Sequence, residues 1–491
     1  MTRSNELEIK IRTYLSSLSP KALGSLVRNL ENSKRKESTD PHLDLILTAA
    51  SALVEGPLPD ALDVPDVDVR RGQVHKLFFA PLNAFLIDET LPNRQEGRIQ
   101  RAMLERVWTW LSRDVMPNEV KTVLDQAGNA AVSGERVDAL VQALRTRAVE
   151  ALGEALEASE VSEKKRRIIG AELGGERGIA ELKDIQKVFA AERWLSPFLQ
   201  NIPERINEHR LKQDLDVLRL VDKCSNRFPD HVPIIAAALV DRSDTPSALC
   251  TFAGRLAGDP DPRTIAGSKF APFVDIVMSE AERLQIRALD HRHNSDDPSS
   301  FSEALSDYHA LVRGVERDMD LSLSGRWHQR LADTKRNISG EVTRELKGAS
   351  GAIRRALQVP KFDKDGVLMT DKSAVDDAVR TLRVVTMART ASETFAVNEV
   401  GKQTRQAVEQ TLEIVTRSLI TDLGKAEGAQ IEAHASAADV AITLSEIYFG
   451  AEYAAQLRRS RDAAFAKASN QDAPGEPAPE RKLVSSVLAR Y

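Results

Sequence analysis

The chain has 491 residues, of which 29% are charged and 42% are hydrophobic, and its formal net charge is −5. A chain of this length can form about three domains of roughly 150 residues each, and its composition is that of an ordinary globular protein. The small net charge gives no general attraction to nucleic acid backbones or anionic membranes, and an aromatic content of 5% argues against a surface that stacks single-stranded bases.

The sequence predicts a cytoplasmic location. Cys224 and Cys250 are the only cysteines, too few for a secreted disulfide framework. The first residues, MTRSNELEIKIRTYL, carry scattered charges and no apolar core of a signal peptide. Apolar runs such as 43–54 are shorter than the roughly 20 residues that cross a bilayer, so we expect no membrane span. The excess of arginine over lysine and the abundant alanine are compatible with a bacterial source.

The first 95 residues fall into two segments. Residues 1–55 are predicted to form N-terminal helices, at 5–30 and 42–54. Residues 56–95 carry five prolines among apolar clusters, which makes them too proline-rich for a long helix and too apolar for a free linker. We expect this segment to dock on the protein surface with the following apolar side chains buried: Leu77, Phe78, Phe79, Phe85 and Leu86.

Residues 96–290 are predicted to form an irregular array of helical hairpins, because helices of moderate length alternate with short connections and no repeat period is present. Helices are expected at 96–115 and 135–158, and in a shorter segment that Thr245 caps and Gly258 ends. In the first of these helices, apolar residues at spacings of three and four define a buried face: Ile99, Met103, Val107, Trp110 and Leu111.

Residues 300–469 are predicted to form an elongated antiparallel bundle of long helices, so that the chain as a whole is all-α. Ser300 and Glu303 fit a capping box, and a narrow apolar stripe follows: Phe301, Leu305, Tyr308, Val312, Val315 and Met319. Further helices are expected at 325–358, 372–423 and 429–468. In the second of them, the spacing of four apolar residues is that of a coiled-coil seam: Val375, Ala378, Leu382 and Val385.

The segment 359–372, VPKFDKDGVLMTDK, lies between two of these helices. Asp365-Gly366 between short apolar runs is a hairpin-turn signal, so a small β-hairpin near 361–369 is one interpretation and an irregular loop is the other. The same residues resemble part of a calcium-binding loop, but Lys361 and Lys372 occupy the first and last ligand positions, where acidic residues are needed. Calcium binding is therefore rejected.

The tail, residues 470–491, changes composition abruptly. Three prolines among Gly, Ala and Glu form a flexible or extended linker, and an apolar peptide follows. Its candidate partner-binding residues are Leu483, Val484, Val487, Leu488 and Tyr491. A short helix of this kind is marginal in water and suits recognition by a hydrophobic groove. Docking onto the protein's own body and a disordered end are the alternatives.

The strongest candidate for chemistry is LDHRHNSDDP, residues 289–298, which holds two histidines one residue apart. His291 and His293 share a face only if the backbone is extended, since on a helix they lie about 160° apart around the axis. A metal site would also need a further ligand, for which His309 and His328 are the nearest candidates. The simpler interpretation is a polar turn in which His and Arg complement a helix C-terminus.

Other motifs give no catalytic or cofactor site. The glycine-rich stretch 168–182 has Glu176 and Arg177 where a phosphate-binding loop needs Lys and Ser or Thr, so we predict a helix break there. Serine nucleophile and NAD motifs are incomplete or absent. The basic runs are dispersed and have acidic neighbours: Lys34–Lys36, Lys164–Arg167, Arg354–Arg355 and Arg458–Arg461. No cofactor is predicted, and nucleic acid is a weak candidate partner.

These features together favour a non-enzymatic helical scaffold or adaptor that binds other proteins. Its binding surfaces would be the C-terminal peptide and the faces of the long helices, which also offer surfaces for self-association. The alternative is an all-helical metal-dependent hydrolase that uses His291 and His293. A second alternative is a helical protein associated with nucleic acid.

Overall fold

A computed structural model describes residues 67–129, 131–295, 297–321, 325–364 and 366–471. Over these residues the protein is all-α, with eighteen α-helices and two sheets of two short strands. The described residues form two compact units, the first from 67–88 together with 96–203, the second from 89–95 together with 204–471. The helices predicted at 5–30 and 42–54 lie outside the described residues.

The first unit contains six helices in its described part. They are α1 (Val67–Phe79), α2 (Arg101–Trp110), α3 (Pro117–Gly128), α4 (Gly134–Val161), α5 (Glu163–Leu173) and α6 (Glu176–Gln200). A 3₁₀ turn (Ala80–Phe85) follows α1, and a π-helical turn (Leu111–Val115) follows α2. Strands β1 (Leu86–Ile87) and β2 (Ile99–Gln100) pair in parallel.

Helix α1 packs against this unit through Val74, Phe78 and Phe79, while Arg71, Gly72, Gln73 and Lys76 are exposed; the helix itself was not predicted. No proline lies between Pro65 and Pro81, so a helix of 13 residues can form between them. Phe78 and Phe79 are buried, and their rings contact Trp108 and Phe189 with centroids 5.3 to 6.3 Å apart. Phe85 is also buried as predicted, whereas the structure leaves two of the five side chains, Leu77 and Leu86, half-buried.

Helix α2 is shorter than the predicted helix 96–115, because the chain is extended at Ile99–Gln100 and passes into the π-helical turn after Trp110. The apolar face is nevertheless buried as predicted. Two buried carboxylates of α6 hold the connection before α2. Asp184 accepts a hydrogen bond from the backbone N–H of Gly97 at 3.2 Å, and Glu181 accepts one from Gln100 at 3.1 Å.

The second unit contains twelve helices among the described residues. They are α7 (Glu208–Gln213), α8 (Leu215–Arg227), α9 (Val232–Arg242), α10 (Ala248–Ala257), α11 (Pro262–Ala266), α12 (Ala271–Asn294), α13 (Ser300–Asp318), α14 (Arg326–Ala356), α15 (Lys372–Thr390), α16 (Asn398–Leu423), α17 (Gln430–Phe449) and α18 (Ala451–Gln471). Strands β3 (Lys361–Phe362) and β4 (Leu368–Met369) lie between α14 and α15.

Apolar stripes decide how these helices pack. Every member of the stripe predicted from Phe301 to Met319 is buried, and so is every member of the seam from Val375 to Val385. Helix α14 packs against α12, α15 and α16, and α17 packs against α15, α16 and α18. The order of the contacts along each helix shows that α14 and α15 are antiparallel, as are α17 and α18.

A buried carboxylate, Glu345, links three of these helices. Its Oε2 atom lies 2.7 Å from Nε of Arg292 on α12. Its Oε1 atom accepts a hydrogen bond of 2.8 Å from the hydroxyl of Thr381 on α15. Because a buried charge is costly unless it is paired and hydrogen-bonded, these contacts fix how α12 and α15 sit on α14.

Two predicted long helices are each broken, which corrects the boundaries at 372–423 and 429–468. The first ends at Thr390 and resumes at Asn398. Between them Phe395 is fully buried and Ala396 has a φ of 52°. The helix is therefore interrupted here, and the interruption lets the Phe395 side chain enter the core. The second is interrupted at Gly450, whose φ of 94° is outside the helical region.

Two predicted helix starts are also displaced. The capping box predicted Ser300 as the cap residue, but helix α13 already begins at Ser300 and its cap residue is Ser299. The backbone N–H of Glu303 donates a hydrogen bond to the backbone oxygen of Ser299. Helix α10 follows Ser247 rather than Thr245, because residues 245–247 form a preceding turn. Its predicted end is confirmed, since Gly258 takes the left-handed conformation there.

No helix within the described ranges is both long enough and apolar enough to cross a lipid bilayer.

Candidate protein-binding groove

Helix α12 passes through the histidine-bearing stretch, which corrects the prediction of a turn beginning at residue 291. The helix continues to Asn294 and the chain becomes extended at Ser295. His291 and His293 therefore project about 160° apart from the same helix, one half-buried and the other exposed. Arg292 between them is the residue that reaches across to the neighbouring helix, where it pairs with Glu345.

His309 has a structural role on α13. Its Nδ1 atom lies 2.8 Å from the hydroxyl oxygen of Thr394, and its ring contacts that of the buried Phe395. Burial lowers the pKa of His309, and the nearby Arg313 lowers it further. The side chain therefore anchors the turn between α15 and α16 and does not converge with His291 and His293.

Within residues 67–471, the short gaps excepted, no three His, Cys, Asp or Glu side chains are grouped so that they could hold a metal ion. The basic runs that lie in these ranges hold ion pairs. Arg166 pairs with Glu176, Arg355 with Asp377, and Arg461 with Asp439. These arginines therefore support the packing of helices rather than a concentrated cationic surface.

The segment 359–372 forms the predicted β-hairpin. Lys361 pairs with Met369 and Phe362 with Leu368 in antiparallel register. Around the turn, the backbone N–H of Asp363 donates a hydrogen bond of 2.9 Å to the backbone oxygen of Val367. The Asp363 carboxylate in turn accepts the backbone N–H of Val367 at 2.9 Å. Within the described chain each strand has one neighbour. Neither strand is paired with another strand at its outer edge in this part of the chain.

The two faces of the hairpin differ in exposure. Paired residues share a face, so Phe362 and Leu368 form one face, and both are half-buried. The other face bears Met369, which is 61% exposed, and Val367, which is 57% exposed. Few large apolar side chains of the described residues are so exposed. An apolar side chain that remains in contact with water contributes nothing to the core.

A groove of about 320 Å³ lies between the base of this hairpin and helix α17. We refer to it as the hairpin groove. Its walls include the buried side chains of Ala356, Ala437 and Val440 and the half-buried Val359. Met369 stands at its margin. A volume near the lower end of the range of about 300–1,000 Å³ for ligand pockets suits a few apolar side chains.

Two of the polar residues that line the hairpin groove have structural partners. Arg355 is held by Asp377 at 2.9 Å. Asp371 caps helix α15, since its carboxylate accepts the backbone N–H of Ala374 at 3.0 Å. Polar and apolar side chains therefore line the hairpin groove together, as they do at protein-binding surfaces.

A second groove of about 320 Å³ lies on another face of α17 and is charged. It is lined by Asp439 and Arg461, which pair at 2.7 Å, and by Glu446, which pairs with Arg458. Burial raises the pKa of Asp439, and the opposite charge of Arg461 offsets this effect only in part. Most of the charged groups here are paired with one another, so this groove is a less suitable site for an apolar segment than the hairpin groove.

The candidate partner-binding residues Leu483, Val484, Val487, Leu488 and Tyr491 lie outside the described residues. The sequence signalled the hairpin through Asp365-Gly366, but it did not signal the groove. Residues 356–371 and 436–440 are about 70 positions apart in the sequence, and a contact of this kind depends on how helices pack. The small residues of α17, Ser436 and Ala437, were the available clue, because they leave space beside a helix.

Comparison of the chain with protein-family models, with curated proteins and with solved structures gives no match.

Proposed function

We propose that the chain is a non-enzymatic helical scaffold that binds other proteins, and that the hairpin groove receives a short apolar segment of a partner. The observation that carries this proposal is the juxtaposition of an exposed apolar side chain, Met369, with a groove of mixed polar and apolar lining beside a two-stranded β-hairpin. Methionine suits such a site because its unbranched side chain adapts to different partners.

Two binding modes contribute at this site. An extended segment gains main-chain hydrogen bonds by adding to the edge of β4, and its alternate side chains then enter a pocket. The hairpin supplies the edge, and the floor formed by Ala356, Ala437 and Val440 supplies the pocket. Apolar contact supplies the free energy of binding, at roughly 25 cal/mol per Å² of apolar surface removed from water.

Site-specific photo-crosslinking tests this proposal. The full chain carries a photo-reactive phenylalanine analogue at Met369 in one variant and at Ile414 in the other. Ile414 lies on α16 and is 59% exposed, against 61% for Met369, so it controls for random encounters with an apolar surface side chain. After irradiation in the cells that produce the protein, we expect discrete adducts with other proteins from position 369.

The same adducts are expected to be absent from position 414. If the two positions yield the same set of adducts, or if neither yields any, the hairpin groove is not a protein-binding site.

A further inference from the structure

Helix α18 ends near the start of α17, on the side of that helix roughly opposite the hairpin groove. The fully buried Ala468, near the end of this helix, belongs to the same apolar cluster as Ile431 and Ala435 of α17. Ser436 and Ala437, which line the hairpin groove, follow Ala435 directly on α17. A helix rises about 1.5 Å per residue, so the last turn of α18 and the groove are within about two helical turns along α17, and the chain that follows α18 must pass around α17 to reach the groove.

The residues that follow α18 are long enough to return to the groove. Eleven residues, 472–482, separate the helix from Leu483. Fully extended they span at most about 36 Å, and as a flexible chain their ends are on average about 17–20 Å apart. Such a tether gives the attached segment an effective concentration in the millimolar range. Even a weak interaction with the groove is then sufficient for occupancy.

The segment after this tether has the chemistry that the groove requires. Leu483, Val484, Val487 and Leu488 are apolar, and Ser485 and Ser486 between them are small and polar. In a helical turn the four apolar residues share one face. The hairpin groove offers an apolar floor with room for a few such side chains. The sequence alone left three outcomes open for this segment, and the length of the tether together with the apolar residues after it supports docking on the chain's own body.

We propose that residues 483–488 dock in the hairpin groove of the same chain and compete there with partner proteins. The proposal rests on the proposed function, since it assumes that the groove binds apolar segments. It adds a regulatory role, because a partner must displace the chain's own segment before it can bind. A variant that releases this segment without altering the groove, such as Leu483→Asp together with Val487→Asp, is therefore expected to bind partners more readily than the unmodified chain.

A distance measurement between two spin labels in the full chain tests the proposal. One label is attached at Glu432→Cys, which is exposed on α17 one turn before the groove, and the other at Ser485→Cys. Cys224 is replaced by serine. Cys250 can remain, because it is fully buried and burial raises the pKa of its thiol to about 12. Double electron–electron resonance then gives the distribution of label distances.

We expect a narrow distribution of short distances in this labelled protein. Leu483→Asp together with Val487→Asp, or Met369→Asp alone, is expected to convert it to a broad distribution. Ile414→Asp, an exposed substitution away from the groove, is expected to leave it narrow. A broad distribution in the labelled protein, or a narrow one that Met369→Asp does not change, would overturn the proposal.

The two proposals fail in different ways. If residues 483–488 do not dock, the distance distribution is broad while photo-crosslinks from position 369 to other proteins persist. If the groove binds no partner protein, those crosslinks are absent whatever the distance distribution shows.

Discussion

Replacement of Glu345 by alanine is expected to lower the free energy of unfolding by about 3–5 kcal/mol. Glu345 is almost fully buried in α14, and it holds Arg292 at 2.7 Å and the hydroxyl of Thr381 at 2.8 Å. Removal of the carboxylate leaves the Arg292 charge without its partner in a largely buried position. That loss is a large share of a typical total stability of about 5–15 kcal/mol.

The measurement is urea unfolding followed by circular dichroism, with Asp333→Ala as the matched control. Asp333 lies on the same helix and pairs with Arg336 at 2.8 Å, but both side chains are exposed. An exposed pair contributes about 1 kcal/mol or less. If the losses at positions 345 and 333 are equal, Glu345 does not link the three helices as described.

Replacement of Gly178 by alanine is expected to destabilise the first unit by about 1–3 kcal/mol. Gly178 lies in the first turn of α6, directly beside the end of α5. A Cβ atom there would overlap the backbone oxygen of Leu173 and lie 2.7 Å from its carbonyl carbon. Because these are backbone atoms, the corner between α5 and α6 must open to accept the methyl group.

Gly340→Ala is the matched control for this substitution. Gly340 is also helical, in the middle of α14, and a Cβ atom there would have nothing within 4 Å. Alanine favours a helix over glycine by roughly 1 kcal/mol, so this variant is expected to be more stable than the unmodified protein. Thermal unfolding distinguishes the two cases. A gain in melting temperature for both variants would contradict the close contact at Gly178.

Elements that depend on local periodicity could be predicted from the sequence. The stripe from Phe301 to Met319 and the seam from Val375 to Val385 are buried because a helix repeats every 3.6 residues, and that repeat is visible in the sequence. The glycine pair before Glu176 correctly predicted a helix break, since Gly174 takes the left-handed conformation at the end of α5. The Asp-Gly turn of the hairpin is a similar local signal.

Features that depend on tertiary packing could not be predicted in this way. No proline or glycine marks the break between Thr390 and Asn398. It forms because Phe395 enters the core and Thr394 bonds to His309, whose own position depends on α13. The role of Arg292 was missed for the same reason, because its partner Glu345 lies on another helix, 53 positions away.

In the candidate site, too, the locally encoded feature could be predicted from the sequence and the feature that depends on packing could not. The hairpin was visible in the sequence as one of two alternatives, but the groove exists only because α17 passes beside the hairpin. The histidine pair was the most conspicuous motif in the sequence, and the helix that carries it separates the two rings. Spacing alone therefore did not distinguish a metal site from a helix end.

The most direct test of protein binding at the hairpin groove is a calorimetric titration. The probe is a synthetic peptide with the partner sequence that photo-crosslinking captures at position 369, titrated into the unmodified chain, Met369→Asp and Ile414→Asp. We expect Met369→Asp to raise the Kd at least about ten-fold, which corresponds to about 1.4 kcal/mol, and Ile414→Asp to leave it unchanged. Equal affinity for all three proteins would contradict the assignment of the groove as the binding site.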